Sequence, residues 1–148
     1  MSKIEKVLLS GKTRTMIHGG AGRSREGNVD IRLSTPGSES TPAHVFENIV
    51  AHPTAEQLFA GAWSACYISA IALVAQEKKV QLPPDLAVEI EVDLGQTGKA
   101  YFIQARFDVQ MPGLAHDLAT AIAHAAHEIC PYSKATHGNI DVAMVVRV

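Results

Sequence analysis

The order of apolar and polar positions predicts a chain that combines strands with helices. Apolar and charged residues alternate at 87–94 and again at 101–109, as in half-buried strands, and a hairpin through 95–98 would join these two. Shorter segments near the N-terminus are punctuated by glycines, which favours an antiparallel meander. Strands are therefore predicted at 4–9, 12–17, 28–33, 87–94, 101–109 and 140–148.

Two helices are predicted between and after these strands. Thr54 and Gln57 stand three apart as a capping box, and 58–75 is apolar on nearly every face, so this helix should be buried all round. An alanine-rich amphipathic helix follows at 114–129 and is ended by Pro131. The segment 34–53 is a connection that could contain one short helix. The sum is an α+β protein with a single domain, 1–148.

Composition and charge exclude several classes of partner. The chain has 148 residues, with 13 Lys and Arg against 15 Asp and Glu, so it has no broad basic field that would bind nucleic acid or anionic lipid. Its first ten residues lack the apolar core of a signal peptide, and the apolar helix contains Glu56. We expect a cytoplasmic protein with neither nucleic acid nor membrane as a partner.

The chain has only two cysteines, Cys66 and Cys130, and free cysteines are often inert core residues. Cys66 lies in the middle of the buried helix, where a thiol has a raised pKa unless a cation is near. The helix has no arginine, so a reactive Cys66 needs one from elsewhere, and the glycine-rich loop with Arg23 and Arg25 is the expected source. Cys130 precedes Pro131 at a helix end, which suits a thiol that must move.

Glu56 is a carboxylate in the first turn of the apolar helix, where the helix dipole alone would favour it. Ten residues separate it from Cys66, about 15 Å along a straight helix. If both serve one site, either the helix breaks near Gly61 or the site is shared between subunits.

The chain resembles the organic hydroperoxide resistance proteins, in the superfamily that also holds osmotically inducible protein C. Cys-Pro-Tyr-Ser followed by Gly-Asn-Ile-Asp is a specific motif, as is Glu-Gln-Leu-Phe at a fixed distance before Ser-Ala-Cys. The resemblance covers nearly the whole chain and is carried by 4–8 (IEKVL), 30–36 (DIRLSTP), 56–67 (EQLFAGAWSACY), 112–114 (PGL) and 126–142 (AHEICPYSKATHGNIDV).

The resemblance implies an OsmC/Ohr-like fold, with antiparallel sheets around a central buried helix, in an intertwined homodimer that has two equivalent active sites at its interface. It implies a cysteine-based peroxidase that reduces organic hydroperoxides to alcohols. A dihydrolipoyl-type dithiol, such as a lipoylated protein, would be the external reductant, and no metal or other cofactor is implied. By position, Cys66 matches the peroxidatic cysteine, Cys130 the resolving cysteine, and Glu56 the carboxylate that orients the active-site arginine.

The arginine and the aromatic residues are less clearly defined. The family places its arginine directly after a Gly-Gly pair, whereas here Gly19-Gly20 is followed by Ala21-Gly22, so Arg23 is favoured and Arg25 stays open. The segment between Pro36 and Pro53 also departs from the family pattern. The aromatic side chains near Cys66 could bind an apolar peroxide tail or could be plain core. These side chains are Phe59, Trp63, Tyr67 and also Phe46.

Two other functions compete with the peroxidase. His124, His127, Cys130 and His137 could be proposed as a zinc site, although this would leave Cys66 unused. The chain could also be a non-catalytic small-ligand-binding or structural dimer of the same fold. Retention of both cysteines argues against that second alternative.

Overall fold

The computed structural model describes residues 3–16, 45–47 and 53–148. These ranges form five strands and three helices, which confirms the α+β class. The predicted strand at 28–33 lies outside them, as do Arg23 and Arg25. In chain order the elements are β1 (Lys6–Met16), β2 (Val45–Glu47), α1 (Ala55–Glu77), β3 (Ala87–Thr97), β4 (Ala100–Gln110), α2 (His116–Ile129), α3 (Pro131–Thr136) and β5 (Asp141–Arg147).

The strands form one mixed sheet in the order β2-β1-β3-β4-β5. Three of the four strand pairs are antiparallel, but β4 and β5 are parallel, so the prediction of antiparallel sheets is wrong at this edge. The physical reason is the connection: α2 and α3 lie between β4 and β5, and a crossover of this length returns the chain to the end of the sheet where β4 began. The alternation in the sequence predicts a strand but not its direction.

Glycines interrupt the strands less than the sequence suggested. β1 runs without a break through Gly11, and the pairing with β3 shifts only between Val7 and Leu9. Gly95 likewise lies inside β3, because the hairpin turns at Gly98 and Lys99, where Gly98 has a φ of 59°. Residues 45–47 of the predicted connection form a strand beside β1 rather than a helix.

The first turn of α1 approaches β1 closely at Gly11. A Cβ atom at this position would lie 2.5 Å from the backbone nitrogen of Gln57 and 2.8 Å from Glu56 Cβ. Only a residue without a side chain allows the first turn of α1 to pack at this distance. Gly11 therefore determines how closely β1 and α1 pack.

The capping box that starts α1 is formed as predicted. Gln57 N–H donates to Thr54 Oγ1 at 3.2 Å, and the Thr54 N–H donates to the Gln57 side chain at 3.2 Å. α1 packs against β1 and β3 on one side and α2 on the other. Its length and composition would suit a membrane span, but 61% of that window is buried inside this fold, as in a core helix.

In the described part of the chain, one face of α1 stays partly exposed, so the prediction that this helix is buried all round is wrong in part. Leu58 and Leu73 are 50% and 55% exposed at its two ends. Between them lie the half-buried Ala62, Cys66 and Ser69, at helical spacing. This apolar stripe on α1 has Cys66 at its centre.

The sheet face away from the helices is charged. Asp93 is nearly buried there, and it accepts hydrogen bonds from Ser10, Gln104 and both terminal nitrogens of Arg106. The hydrogen bonds from Arg106 are the main reason that the pKa of Asp93 falls to about 2. The network joins β1, β3 and β4 across the sheet.

Candidate active site at the two cysteines

Cys66 and Cys130 lie in contact although 64 positions separate them in the sequence. Their sulfur atoms are 3.2 Å apart, and both thiols are free. Cys130 is fully buried, whereas Cys66 is partly exposed on the apolar stripe of α1. A disulfide bond is about 2.05 Å long, so the sulfurs need to approach by only about 1.2 Å to form one.

Local sequence explains why Cys130 can reach α1. Cys130 ends α2 and also precedes the first residue of α3, with an extended backbone at φ −61° and ψ 122°. Pro131 requires this, because proline disfavours a helical conformation in the residue before it and is itself favoured at the first helical position. The sequence predicts that α2 ends here but gives no indication of α3.

Within the described part of the chain, the surroundings of Cys66 favour the protonated thiol. Burial raises the pKa of this thiol to about 11, and the neighbouring Cys130 adds to the increase. The backbone N–H of Tyr132 donates a hydrogen bond to the Cys66 sulfur and opposes this effect. Within the described ranges, the groups that act on this pKa are Cys130 and the Tyr132 N–H, and neither carries a positive charge. A thiolate at neutral pH therefore requires a cation from another part of the protein.

Trp63 and Ser133 join the two halves of the site. The Trp63 indole Nε1–H donates to Ser133 Oγ at 3.0 Å, and both side chains are buried. Trp63 lies one turn before Cys66 on α1, and Ser133 follows Tyr132 in the first turn of α3. Sequence reasoning missed Ser133 and Tyr132, and the signal that could have found them is proline at the start of a short helix directly after Cys130.

The predicted substrate-binding aromatics lie in or beside the core. Trp63 and Tyr67 are 0% exposed, and each packs edge-on against Phe107. Tyr67 Oη–H donates to the Ala123 carbonyl at 2.7 Å. Phe59 is partly buried and packs edge-on against Trp63. The packing accounts for all three as core residues, and contact with a substrate stays a prediction.

Glu56 does not meet Cys66 within one chain. α1 is continuous from Ala55 to Glu77, so the suggested break near Gly61 is wrong. Ten helical residues then correspond to about 15 Å along the axis. Glu56 is 9% exposed and lies where α1 passes Gly11. A favourable helix dipole and a site shared between subunits both remain compatible with this position.

The alternative zinc site is not formed. No group of three His, Cys, Asp or Glu side chains in the described part of the chain is arranged to hold a metal ion. His127 instead packs edge-on against Tyr67 and Phe107, with ring centroids 6.2 and 5.7 Å away. Burial lowers the pKa of this histidine.

Comparisons with known proteins agree on one family. The family model described as OsmC-like protein matches residues 47–145. The organic hydroperoxide resistance protein of Xanthomonas axonopodis pv. citri is 32% identical to this chain over an alignment of 154 positions, which covers 99% of each chain.

Solved structures of two further proteins share the fold. An organic hydroperoxide resistance protein from Legionella pneumophila superposes with a TM-score of 0.62 at 38% identity, over 66% of this chain and 72% of that one. The organic hydroperoxide resistance protein OhrB of Bacillus subtilis also has a TM-score of 0.62, at 28% identity, over 81% of this chain and 97% of that one.

Proposed function

This chain belongs to the OsmC-like family, as its resemblance to the organic hydroperoxide resistance proteins predicted, and we propose that it is a cysteine-dependent peroxidase that reduces organic hydroperoxides to alcohols. The observation that carries the proposal is the 3.2 Å separation of a partly exposed Cys66 sulfur and a buried Cys130 sulfur. An accessible thiol can meet a peroxide, and a second thiol in contact with it can resolve the product.

The reaction runs in three balanced steps. The Cys66 thiolate attacks one peroxide oxygen, an S–O bond forms, the O–O bond breaks, and the departing alkoxide takes a proton to become the alcohol. Cys66 is then a sulfenic acid. The Cys130 sulfur attacks it, the S–S bond forms, the S–O bond breaks, and hydroxide leaves with the Cys130 proton as water. Two thiols of an external dithiol reduce the disulfide and are themselves oxidised to a disulfide.

We assign to Cys66 an arginine from the glycine-rich loop that contains Arg23 and Arg25. Its charge holds Cys66 as thiolate and binds the peroxide oxygen, where negative charge develops as the O–O bond breaks. The raised pKa that burial imposes on Cys66 is the reason that such a charge is needed. Arg23 is the favoured residue and Arg25 the alternative. Arg23→Ala should then slow alkylation of Cys66 at pH 7 by tenfold or more, whereas Arg25→Ala should not; the opposite result would assign Arg25.

The active form is proposed to be a homodimer in the cytoplasm, with a dihydrolipoyl group, such as that of a lipoylated protein, as the preferred reductant. Two observations support the dimer. Leu58 and Leu73 on the apolar stripe of α1 are half exposed, and the residues that the structure describes leave this stripe without cover. Glu56 is also too far from Cys66 to serve it within one continuous helix. A partner subunit would cover the stripe and could bring its own arginine and Glu56 to this Cys66.

The test is single-turnover reduction of cumene hydroperoxide by pre-reduced protein, with free thiols counted before and after. The wild type should lose both thiols per chain and Cys66→Ser neither. Cys130→Ser should give a sulfenic acid that dimedone traps. Tyr101→Phe is the matched control, because Tyr101 is 65% exposed on β4 and has no proposed role in the reaction.

Two results would contradict the proposal. If the wild type keeps both thiols in excess peroxide, the chain is not a peroxidase, and the non-catalytic ligand-binding alternative becomes the better one. If Cys130→Ser loses no thiol and traps no sulfenic acid while Cys66→Ser does, the roles of the two cysteines are reversed.

A further inference from the structure

We infer that Trp63 and Ser133 are positioning residues for the cysteine pair, and that their hydrogen bond holds α3 in the place where it supports the chemistry of Cys66. The inference rests on the proposed function for its catalytic meaning, but it concerns two residues to which the proposed reaction assigns no chemical step. What they position is the start of α3 relative to the middle of α1.

Three contacts between α1 and the α2–α3 junction occur within one helical turn. The Cys66 sulfur contacts the Cys130 sulfur at 3.2 Å. A hydrogen bond with the Tyr132 backbone lowers the pKa of the same Cys66 thiol. The Trp63 indole N–H donates to Ser133 Oγ at 3.0 Å. Trp63 and Cys66 lie one turn apart on α1, and their partners lie within residues 130–133 of the α2–α3 junction. A shift of α3 that breaks any one of these contacts therefore strains the others.

Of these contacts, the Trp63–Ser133 hydrogen bond is the one that is buried on both sides and whose two groups stay uncharged throughout the reaction. Both side chains are 2% exposed or less, so water cannot replace a partner that is lost. The contacts of Cys66 change as it becomes thiolate, sulfenic acid and disulfide, whereas the indole and hydroxyl keep their chemistry. The hydrogen bond can therefore hold α3 in place while the sulfur atoms react.

A structural core residue and a positioning residue predict different results. If Ser133 only stabilises the fold, its removal lowers the free energy of unfolding but leaves the acidity of Cys66 in the folded protein unchanged. If Ser133 positions α3, its removal withdraws the Tyr132 N–H from Cys66 and disfavours the thiolate. The acidity of one thiol in the folded state is therefore the deciding measurement.

The experiment uses the full chain with Cys130→Ser, so that Cys66 is the only thiol, and follows its alkylation by iodoacetamide as a function of pH. Ser133→Ala should raise the midpoint of the profile by about one pH unit, which is roughly a tenfold lower thiolate fraction at pH 7. Ser133→Thr keeps the hydroxyl and should restore the midpoint. Thr136→Val is the matched control, because Thr136 Oγ1–H donates only to the Tyr132 and Ser133 carbonyls within α3.

The inference is overturned if Ser133→Ala, shown to be folded by circular dichroism, leaves the midpoint unchanged or moves it no further than Thr136→Val does. Alkylation requires no peroxide, so this result is separate from the test of the peroxidase. A wild type that consumes no hydroperoxide while Ser133→Ala still moves the midpoint would refute the proposed function and support the positioning role.

The wild type allows a second measurement that does not depend on whether Ser133→Ala folds. Trp63 is the only tryptophan, so ¹⁵N-labelled protein shows a single indole N–H resonance. We expect this N–H to exchange slowly with water in both the reduced protein and the Cys66–Cys130 disulfide form, because the hydrogen bond to Ser133 persists in both. Rapid exchange in either form would overturn the inference.

Discussion

Gly11→Ala tests the close packing between β1 and α1 that places Glu56. The new Cβ would lie 2.5 Å from the backbone nitrogen of Gln57 and 2.8 Å from Glu56 Cβ, whereas ordinary contact begins at about 3.5 Å. The strand and the helix must therefore separate by about 1 Å. Because backbone rather than a flexible side chain stands in the way, the overpacking cost should be near the top of the usual range of about 1–3 kcal/mol.

The net change in the free energy of unfolding is smaller than this cost. Replacing glycine by alanine also restricts the unfolded chain, which stabilises the protein by about 0.4–1 kcal/mol. The expected net loss is about 2 kcal/mol, or a fall in Tm of about 4–8 °C for a chain of this length. Urea unfolding followed by circular dichroism measures it, at equal protein concentrations because self-association would shift the midpoint.

Gly98→Ala is the matched control for Gly11→Ala. Gly98 has a φ of +59°, and nothing lies within 4 Å of a Cβ built there, so alanine adds backbone strain of about 1 kcal/mol and no contact. If Gly11→Ala is as stable as the wild type, or loses no more than Gly98→Ala, the reasoning about this packing is refuted. If Glu56 belongs to the site, Gly11→Ala should also slow single-turnover peroxide reduction more than Gly98→Ala does.

Three further predictions concern the groups around the core. The hydrogen bonds that lower the pKa of Asp93 to about 2 stabilise the fold above pH 4, and this contribution is lost as the pH falls from about 4 to about 2. In urea unfolding, Asp93→Asn should lower the free energy of unfolding by about 1–2 kcal/mol at pH 7 and should reduce its decline at acid pH. An unchanged decline in the variant would contradict this role of Asp93. Tyr67→Phe removes the buried hydrogen bond to the Ala123 carbonyl and should lower the free energy of unfolding by about 1–2 kcal/mol. It should not slow oxidation of the two thiols by peroxide, and slower oxidation would give Tyr67 a role in the site. Burial lowers the pKa of His127, so the unfolded chain binds a proton at this residue more readily than the folded chain does. The free energy of unfolding should therefore fall as the pH drops below about 6.5, and its fall between pH 7.5 and 5.5 should be smaller in His127→Gln. An equal fall in the variant would show that other groups cause it.

The sequence by itself determined the elements with strong local signals. Thr54 and Gln57 predicted the start of α1 because a capping box needs only residues three apart. The alternation of β3 and β4 predicted two half-buried strands for the same reason, since its period of two is visible within a few residues. The cysteine motifs also identified the family, because they preserve residue types at fixed spacing. Nothing in these signals required knowledge of distant contacts.

Only the tertiary structure decided how those elements meet. It showed that β5 runs parallel to β4, that Gly11 lies in a continuous strand, and that one face of α1 stays partly exposed among the described residues. It also showed that Cys66 contacts Cys130 and that Trp63 donates a hydrogen bond to Ser133. Each of these features depends on residues far apart in the chain, whose approach is set by the packing of whole helices and strands. Local periodicity carries no information about that packing.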